Sequence, residues 1–388
     1  MRTIKGGRLP IKSWCEDIED GAMAQAKALA ELPFAVGHVA LMPDCHQGFG
    51  MPIGAVLACE GVIIPNAVGV DIGCGMRAVR AGLHVDALGE RRVAELVARA
   101  AAAIPLGFAH HRKPQGWEGF DAFPGGDPFV ASQLDAAKFQ LGTLGGGNHF
   151  IEFQRDADGA VWLMIHSGSR NFGLQIAEHY HAKAVEICPS RFPGVPKDLS
   201  CLPLDTKQAR NYIQAMRFAL DFARENRARM MAALLDIFAE VTGCSDFGAP
   251  LDIHHNYAEP AEFGGVEVWL HRKGATAARG GQPGIIPGSM GTASYIVEGK
   301  GEPESFESCS HGAGRRLGRG EACRVLDKES CDRDMAGIVF TPWGRSRKGG
   351  LDLSEAPAAY KDIDAVMAAQ ADLVEVKVKL RPLGVVKG

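Results

Sequence analysis

From Val68 to Met76 the chain reads Val-Gly-Val-Asp-Ile-Gly-Cys-Gly-Met, and the next residue, Arg77, brings the first cation. Asp71 and Cys74 therefore stand three residues apart among three glycines. A thiolate and a carboxylate on so bare a backbone suit a metal ion, because glycine lets a chain fold closely round a cation. Taken alone, the same residues also fit a buried cysteine in a glycine turn, since free thiols are commonly buried.

Other imidazole motifs shift that balance. In Gly145-Gly-Gly-Asn148-His149-Phe150-Ile-Glu152, three glycines precede a histidine at the start of a strand pattern. Core packing does not ask for three glycines, whereas freed backbone amides make anion cradles. Leu163-Met-Ile-His166-Ser-Gly-Ser-Arg170 ends an apolar run on a histidine and then offers hydroxyls and a guanidinium, groups that suit phosphate. Asp252-Ile-His254-His255-Asn256 ends another run; neighbours on a strand point to opposite faces, so at most one of the two histidines faces a shared site. Two glycine loops, His271 to Thr276 and Ile285 to Ser294, have the hydroxyls and cations of phosphate loops, though a plain turn explains the second too. Ser310-His311-Gly-Ala-Gly-Arg315 leaves room for a bulky adduct beside His311, and imidazole is a competent nucleophile toward phosphorus. Arg315, four residues on, would return toward His311 if the segment were helical. A thiolate, a carboxylate and several imidazoles together suit Mn, Zn or Fe. Neither GxxxxGK[ST] nor a GxGxxG between strand and helix occurs, so the common nucleotide folds are not indicated.

These residues need a scaffold. The 388 residues are 46% hydrophobic and include 48 glycines, a globular composition rich in shaped loops. The net charge of -4 excludes a wholesale basic surface, so any nucleic-acid contact is local. Cations gather at Arg315, Arg316, Arg319 and Arg324, and again at Arg345, Arg347 and Lys348. Ten cysteines show no CxxC spacing, no signal-peptide pattern opens the chain and no apolar run reaches membrane length, so reduced thiols in the cytoplasm, with no membrane, are expected.

Periodicity predicts strands over residues 32–41, 53–58, 76–81, 150–153, 161–165, 251–253, 266–271, 294–297 and 374–378, with a strand and turn over 62–70. It predicts helices over 86–103, capped by Asp86, and over 131–141, 174–187, 205–241 (broken at most once) and 362–370, with a loop over 107–128. The Arg-Glu-Asn-Arg-Ala-Arg stretch inside the longest helix reads as a solvated face. Strands and helices mix without βαβ alternation, which predicts α+β. The candidate ligands run from residue 71 to 311, so residues 1–388 are expected to form a single catalytic domain with mixed sheets and a central metal and nucleotide cleft.

In order along the chain, Met42-Pro-Asp-Cys-His46, Gly69 to Met76, Gly145 to Phe150, His166 to Arg170, His255-Asn256, Arg272 to Ala275, Ile286 to Tyr295, Ser310 to Arg315 and the closing Pro382 to Gly388 resemble the RtcB RNA ligase family. The resemblance spans nearly the whole sequence. It departs at Cys45, where relatives commonly carry an aliphatic residue, and between Gly107 and Ala131, where the chain is short.

The resemblance implies ligation of an RNA 3′-phosphate or 2′,3′-cyclic phosphate to a 5′-hydroxyl, in tRNA splicing or RNA repair, using GTP and two Mn²⁺. It implies His311 as the residue that carries GMP, with Asp44 orienting it. The metal ligands implied are Asp71, Cys74, His149, His166 and His255, with Cys74 bridging. The implied guanine and phosphate contacts are Asn148, Glu152, Ser289, Ser294, Gly312, Ala313, Gly314, Arg315, Arg170, Tyr360 and Lys387. An archease-like activator is a further implied partner. A metal-dependent phosphohydrolase without covalent guanylylation, and a structural metal module with closed coordination, are the alternatives; neither needs a nucleotidylated histidine.

Overall fold

A computed structural model of the chain describes residues 1–123, 125, 127–345 and 349–388. Arg347 and Lys348 lie outside the described residues. Helices and two large sheets make an α+β fold. One sheet has six strands, in spatial order Arg2–Ile4, Ile11–Ser13, Ala35–His46, Ile53–Cys59, Val266–Lys273 and Asn256–Phe263. The other runs Leu251–His254, Gly75–His84, Ala160–Ser167, Phe150–Arg155, Val374–Lys387, Ser294–Gly299 and Pro283–Ile286, with Val339–Phe340 added beside Val374–Lys387. Leu251–His254 belongs to one sheet and Asn256–Phe263 to the other, so His255 is the single residue joining them.

Period-two alternation explains the second sheet. Val161, Leu163 and Ile165 face helices Gly89–Ala103 and Lys207–Thr242, burying Leu96, Met230 and Phe238 with them. Met164 faces the other way, among Met76, Phe150 and Ile296. Its face is also that of His166, two residues on. The register then aligns strand ends. His254 pairs with Gly75, Gly75 with Ser167, and His166 with Phe150. Four neighbouring strands thus end at one edge, where Cys74, His149, His166 and His255 lie.

Lys207–Thr242 is unbroken for 36 residues. It contains no Gly or Pro, Thr206 caps its start by accepting the Ala209 amide hydrogen at 3.1 Å, and Gly243 ends it in the left-handed region at φ 77°. Its buried positions recur through Tyr212, Met216, Ala219, Ala223, Met230, Leu234 and Phe238. Asn226 and Arg227 fall on that same stripe and are fully buried, so the expected solvated face is corrected at these two positions.

Several boundaries also move. The strand expected over 32–41 is Ala35–His46, and 62–70 divides into strand Val62–Ile63 and a helical turn Pro65–Val68. The helix expected from Asp86 starts at Gly89, because Asp86 sits in a 3-10 turn instead. Helix Arg170–Arg191 runs through Pro189 rather than stopping before it. The closing strand extends from Val374 to Lys387 and carries Lys387 to the site.

Candidate metal and nucleotide site

The strand-end donors converge. Cys74 Sγ lies 3.4 Å from His149 Nε2 and 3.3 Å from His166 Nε2. His166 Nε2 lies 3.3 Å from His255 Nε2, and His149 Nε2 lies 3.0 Å from Asp71 Oδ2. Backbone carbonyls fix two of the rings: His149 Nδ1 donates to Leu144 O at 2.9 Å and His166 Nδ1 to Asn148 O at 3.1 Å. Each Nε2 is thereby turned toward the centre, where loss of its proton to a metal would expose the donor lone pair, the usual outer-shell support of a ligand imidazole.

Burial sets the charge state. It pushes His166 and His255 well below the ordinary imidazole range and Cys74 well above the ordinary thiol range, with Asp71 adding to the latter. Burial alone would raise Asp71, but the hydrogen bond and charge of His149 outweigh it and hold the carboxyl low. Two neutral imidazoles with their Nε2 atoms 3.3 Å apart and a thiol against one of them make a poor arrangement on their own. A cation among Cys74, His149 and His166, whose donor atoms lie within 4.8 Å of one another, resolves it. The residues therefore fit a metal, with Asp71 and His255 flanking the three central donors.

The loop carrying these donors is held from outside. The Asn256 side chain donates to Asp71 O at 3.1 Å and accepts the Gly274 amide hydrogen at 2.8 Å. Ser169 N–H donates to Asp71 Oδ1 at 3.1 Å. From the long helix, Arg227 donates to Gly73 O at 2.9 Å and Ser167 O at 3.0 Å, and pairs with Asp252. His254 turns away from the donors: its Nδ1 lies 3.1 Å from Gly73 O and 3.2 Å from Arg227.

His311 stands beside this cluster, its ring 4.9 Å from that of His255. Its Nδ1 is 2.6 Å from Asp44 Oδ2, and the same oxygen accepts the amide hydrogens of His311 at 3.2 Å and Gly312 at 3.3 Å. Asp44 is fully buried at the end of strand Ala35–His46. Burial would raise its carboxyl, yet the charge and hydrogen bond of His311 hold it below the usual range. Gly314 makes this approach possible: its φ is 73°, and a Cβ there would stand 2.2 Å from Asp44 O. The segment after Ser308–Ser310 is not helical, so Arg315 does not return to His311 by a helical turn; it bridges to Tyr360 instead.

A cleft opens in front of His311. Asn148, His166, Ser289, Gly312, Ala313, Gly314, Arg315, Tyr360 and Lys387 line it. Three expected contacts lie outside its wall. Glu152 and Ser294 are buried one layer beneath, linked through Gln154 at 2.6 and 3.0 Å, and burial raises Glu152 to about 8. Arg170 sits behind His149, donating to Thr143 Oγ1 at 3.2 Å and Gly107 O at 3.2 Å, so it braces the ligands. It takes a left-handed φ of 61°, held by the helix it begins.

The tRNA-splicing ligase RtcB family model matches residues 25–121 and 126–388. The chain belongs to the RtcB ligase family. It is 39% identical to the RNA-splicing ligase RtcB of Escherichia coli K12, over 98% of this chain and 97% of that one. It is 33% identical to the tRNA-splicing ligase RtcB of Pyrobaculum aerophilum, over 98% and 95%, and 34% identical to the RNA-splicing ligase RtcB of Mycobacterium tuberculosis, over 94% and 100%.

Sequence reasoning missed Glu355, Asn226 and Arg227. Glu355 is half-buried among Arg315, Arg319, Tyr360 and Lys387; desolvation would raise it, but Lys387 and the two arginines pull it down to about 2. No local signal marks it, because its partners come from distant segments. Asn226 and Arg227 did carry a signal: the apolar stripe of their helix runs straight through them. Among the described residues no helix is long and apolar enough to cross a membrane.

Proposed function

We propose that this chain is an RNA ligase that joins a 3′-phosphate or 2′,3′-cyclic phosphate end to a 5′-hydroxyl end with GTP, in tRNA splicing or RNA repair. The observation that carries the reading is the placement of His311. Buried Asp44 holds Nδ1, leaving Nε2 as the unengaged ring nitrogen on the wall of the cleft, beside the metal donors. A metal site alone needs no such pair.

In this reading Nε2 attacks the α-phosphorus of GTP. A nitrogen–phosphorus bond forms and the bond to pyrophosphate breaks, while Asp44 stabilises the charge gained by the ring. An oxygen of the RNA 3′-phosphate then attacks the same phosphorus and frees His311, leaving the RNA end joined to GMP through a pyrophosphate link. Finally the 5′-hydroxyl attacks the 3′-phosphate, loses its proton and expels GMP. A cyclic phosphate is first opened by water.

Asp71, Cys74, His149, His166 and His255 would hold two Mn²⁺, with Cys74 shared. Bound ions would supply charge neutralisation and in-line alignment of phosphate oxygens. Asn148, Ser289, Gly312 to Arg315, Tyr360 and Lys387 hold the guanosine and its phosphate, and Glu152 and Ser294 shape the floor beneath. The chain acts as one catalytic unit, because donors from residue 71 to 255 meet His311 and Lys387 in one place. An archease-like activator fits the same reading.

The test is labelling with α-³²P-GTP and Mn²⁺. Wild-type protein is expected to gain an acid-labile covalent label, His311→Ala to gain none, and ATP to label weakly. Wild-type protein that turns over RNA without any adduct would favour the metal-dependent phosphohydrolase.

A further inference from the structure

A second groove shares Met290, Glu355 and Lys387 with the nucleotide cleft and runs past Gly147 and Trp343 to Leu106. Just beyond its end lies Phe108, which is 86% exposed, an unusual state for so large an apolar side chain. The strap around it is pinned by its backbone. Gly107 N–H donates to Gly145 O at 3.0 Å, Ala109 to Leu106 O at 3.0 Å, His111 to Phe139 O at 3.0 Å and Gln115 to Lys138 O at 2.9 Å. The side chains of Phe108, His110, Arg112 and Lys113 are left facing solvent.

Charge points the same way. No Asp or Glu occurs from residue 96 to 117, and no carboxylate pairs with Arg112 or Lys113 among the described residues. The chain as a whole is acidic, so an acid-free cationic strap with an aromatic at its tip is a local departure. The strap is also tied to the chemistry, since Arg170 donates to Gly107 O while its Nη1 lies 3.4 Å from His149.

We propose that the second groove and the strap form a track for a single-stranded RNA end entering the cleft, with Phe108 stacking on one base and Arg112 and Lys113 meeting backbone phosphates. The proposal rests on the ligase reading above and names where its RNA lies. An unpaired strand suits it better than a duplex, because stacking on an exposed ring needs a splayed base.

The test is fluorescence anisotropy with a single-stranded 3′-phosphorylated RNA and with a blunt duplex of the same length, across a salt series. Phe108→Ala is expected to weaken single-strand binding about 5- to 150-fold, the range of one stacked base, with little change for the duplex. Phe108→Trp is expected to restore it. Arg112→Ala is expected to lower the slope of log affinity against log salt by about 0.7, one phosphate contact on a single strand. Phe108 is too exposed for its truncation to unfold the chain, and GTP labelling of His311 without RNA is expected to stay at the wild-type level in both variants. Unchanged RNA affinity in Phe108→Ala would overturn the track while leaving the ligase reading intact. So would sedimentation showing that Phe108→Ala splits a dimer with RNA affinity unchanged, which would make the patch a contact between copies. Loss of labelling from wild-type protein would instead count against the ligase reading, whatever the anisotropy shows.

Discussion

Two neutral imidazole nitrogens 3.3 Å apart, with a thiol 3.3 Å from one of them, define the chemistry at the smallest scale. Cys74 is the donor closest to more than one ring, so its removal reaches further than loss of a single ligand. Cys74→Ala is expected to drop the metal content from about two ions per chain to one or fewer, measured by elemental mass spectrometry after desalting. Full retention of both ions would remove Cys74 from the bridging position. The candidate donors were legible in the sequence because each lies within two residues of a glycine or closes a strand pattern. Glu355 was not, because its role exists only once Arg315, Arg319 and the far end of the last strand surround it.

At the scale of elements, the long helix does more than cover a sheet. Asn226 accepts the amide hydrogens of Gly142 at 2.7 Å and Thr143 at 3.1 Å, and donates to Gly168 O at 3.1 Å. Arg227 ties Gly73 O to Ser167 O, the carbonyls next to Cys74 and His166. Replacing Arg227 by Met leaves Asp252 with Arg77 at 3.1 Å and both carbonyls short of a donor. Such a loss is expected to cost about 2–4 kcal/mol, read by denaturant titration of the metal-free protein. A change under about 1 kcal/mol would show that water replaces the guanidinium without loss. In this helix the period of the apolar positions, not polar composition, decides which residues are buried. Every third or fourth residue from Tyr212 to Phe238 is buried, and that rhythm already included Asn226 and Arg227. The mixed sheets, by contrast, followed from alternation, although the two-sheet partition depended on pairings that no single strand encodes.

Across the whole molecule, buried ionisable groups set two opposed pH slopes. Burial holds His46 and His271 at about 4, and burial with Lys12 does the same to His38. These folded values lie below the ordinary 6.5, so their contribution is present above pH 6.5 and is lost as pH falls toward 4. Glu152 runs the other way. Its folded value of about 8 exceeds the ordinary 4.5, so the native state keeps a proton that the unfolded state releases, and stability declines as pH rises from 4.5 to 8. The metal-free protein is expected to melt highest near pH 6.5, falling toward acid through the histidines and more gently toward pH 8 through Glu152. Glu152→Gln is expected to flatten the alkaline limb and to steepen the acid limb between pH 4.5 and 6.5, in scanning calorimetry. An unaltered alkaline limb in that variant would mean that Glu152 is ionised in the fold.

His255, the one residue between the two sheets, also bears on how the protein is made. A ribosome delivers Asp71, Cys74, His149 and His166 well before it delivers the fifth donor, and His311 later still. The strand that carries His254 must pair with Gly75–His84 before His255 can reach its place. A growing chain therefore offers an incomplete claw, and the finished one closes only when both sheets have met. On the proposed reading, capture of the full metal complement would come late in biogenesis, after both sheets have met.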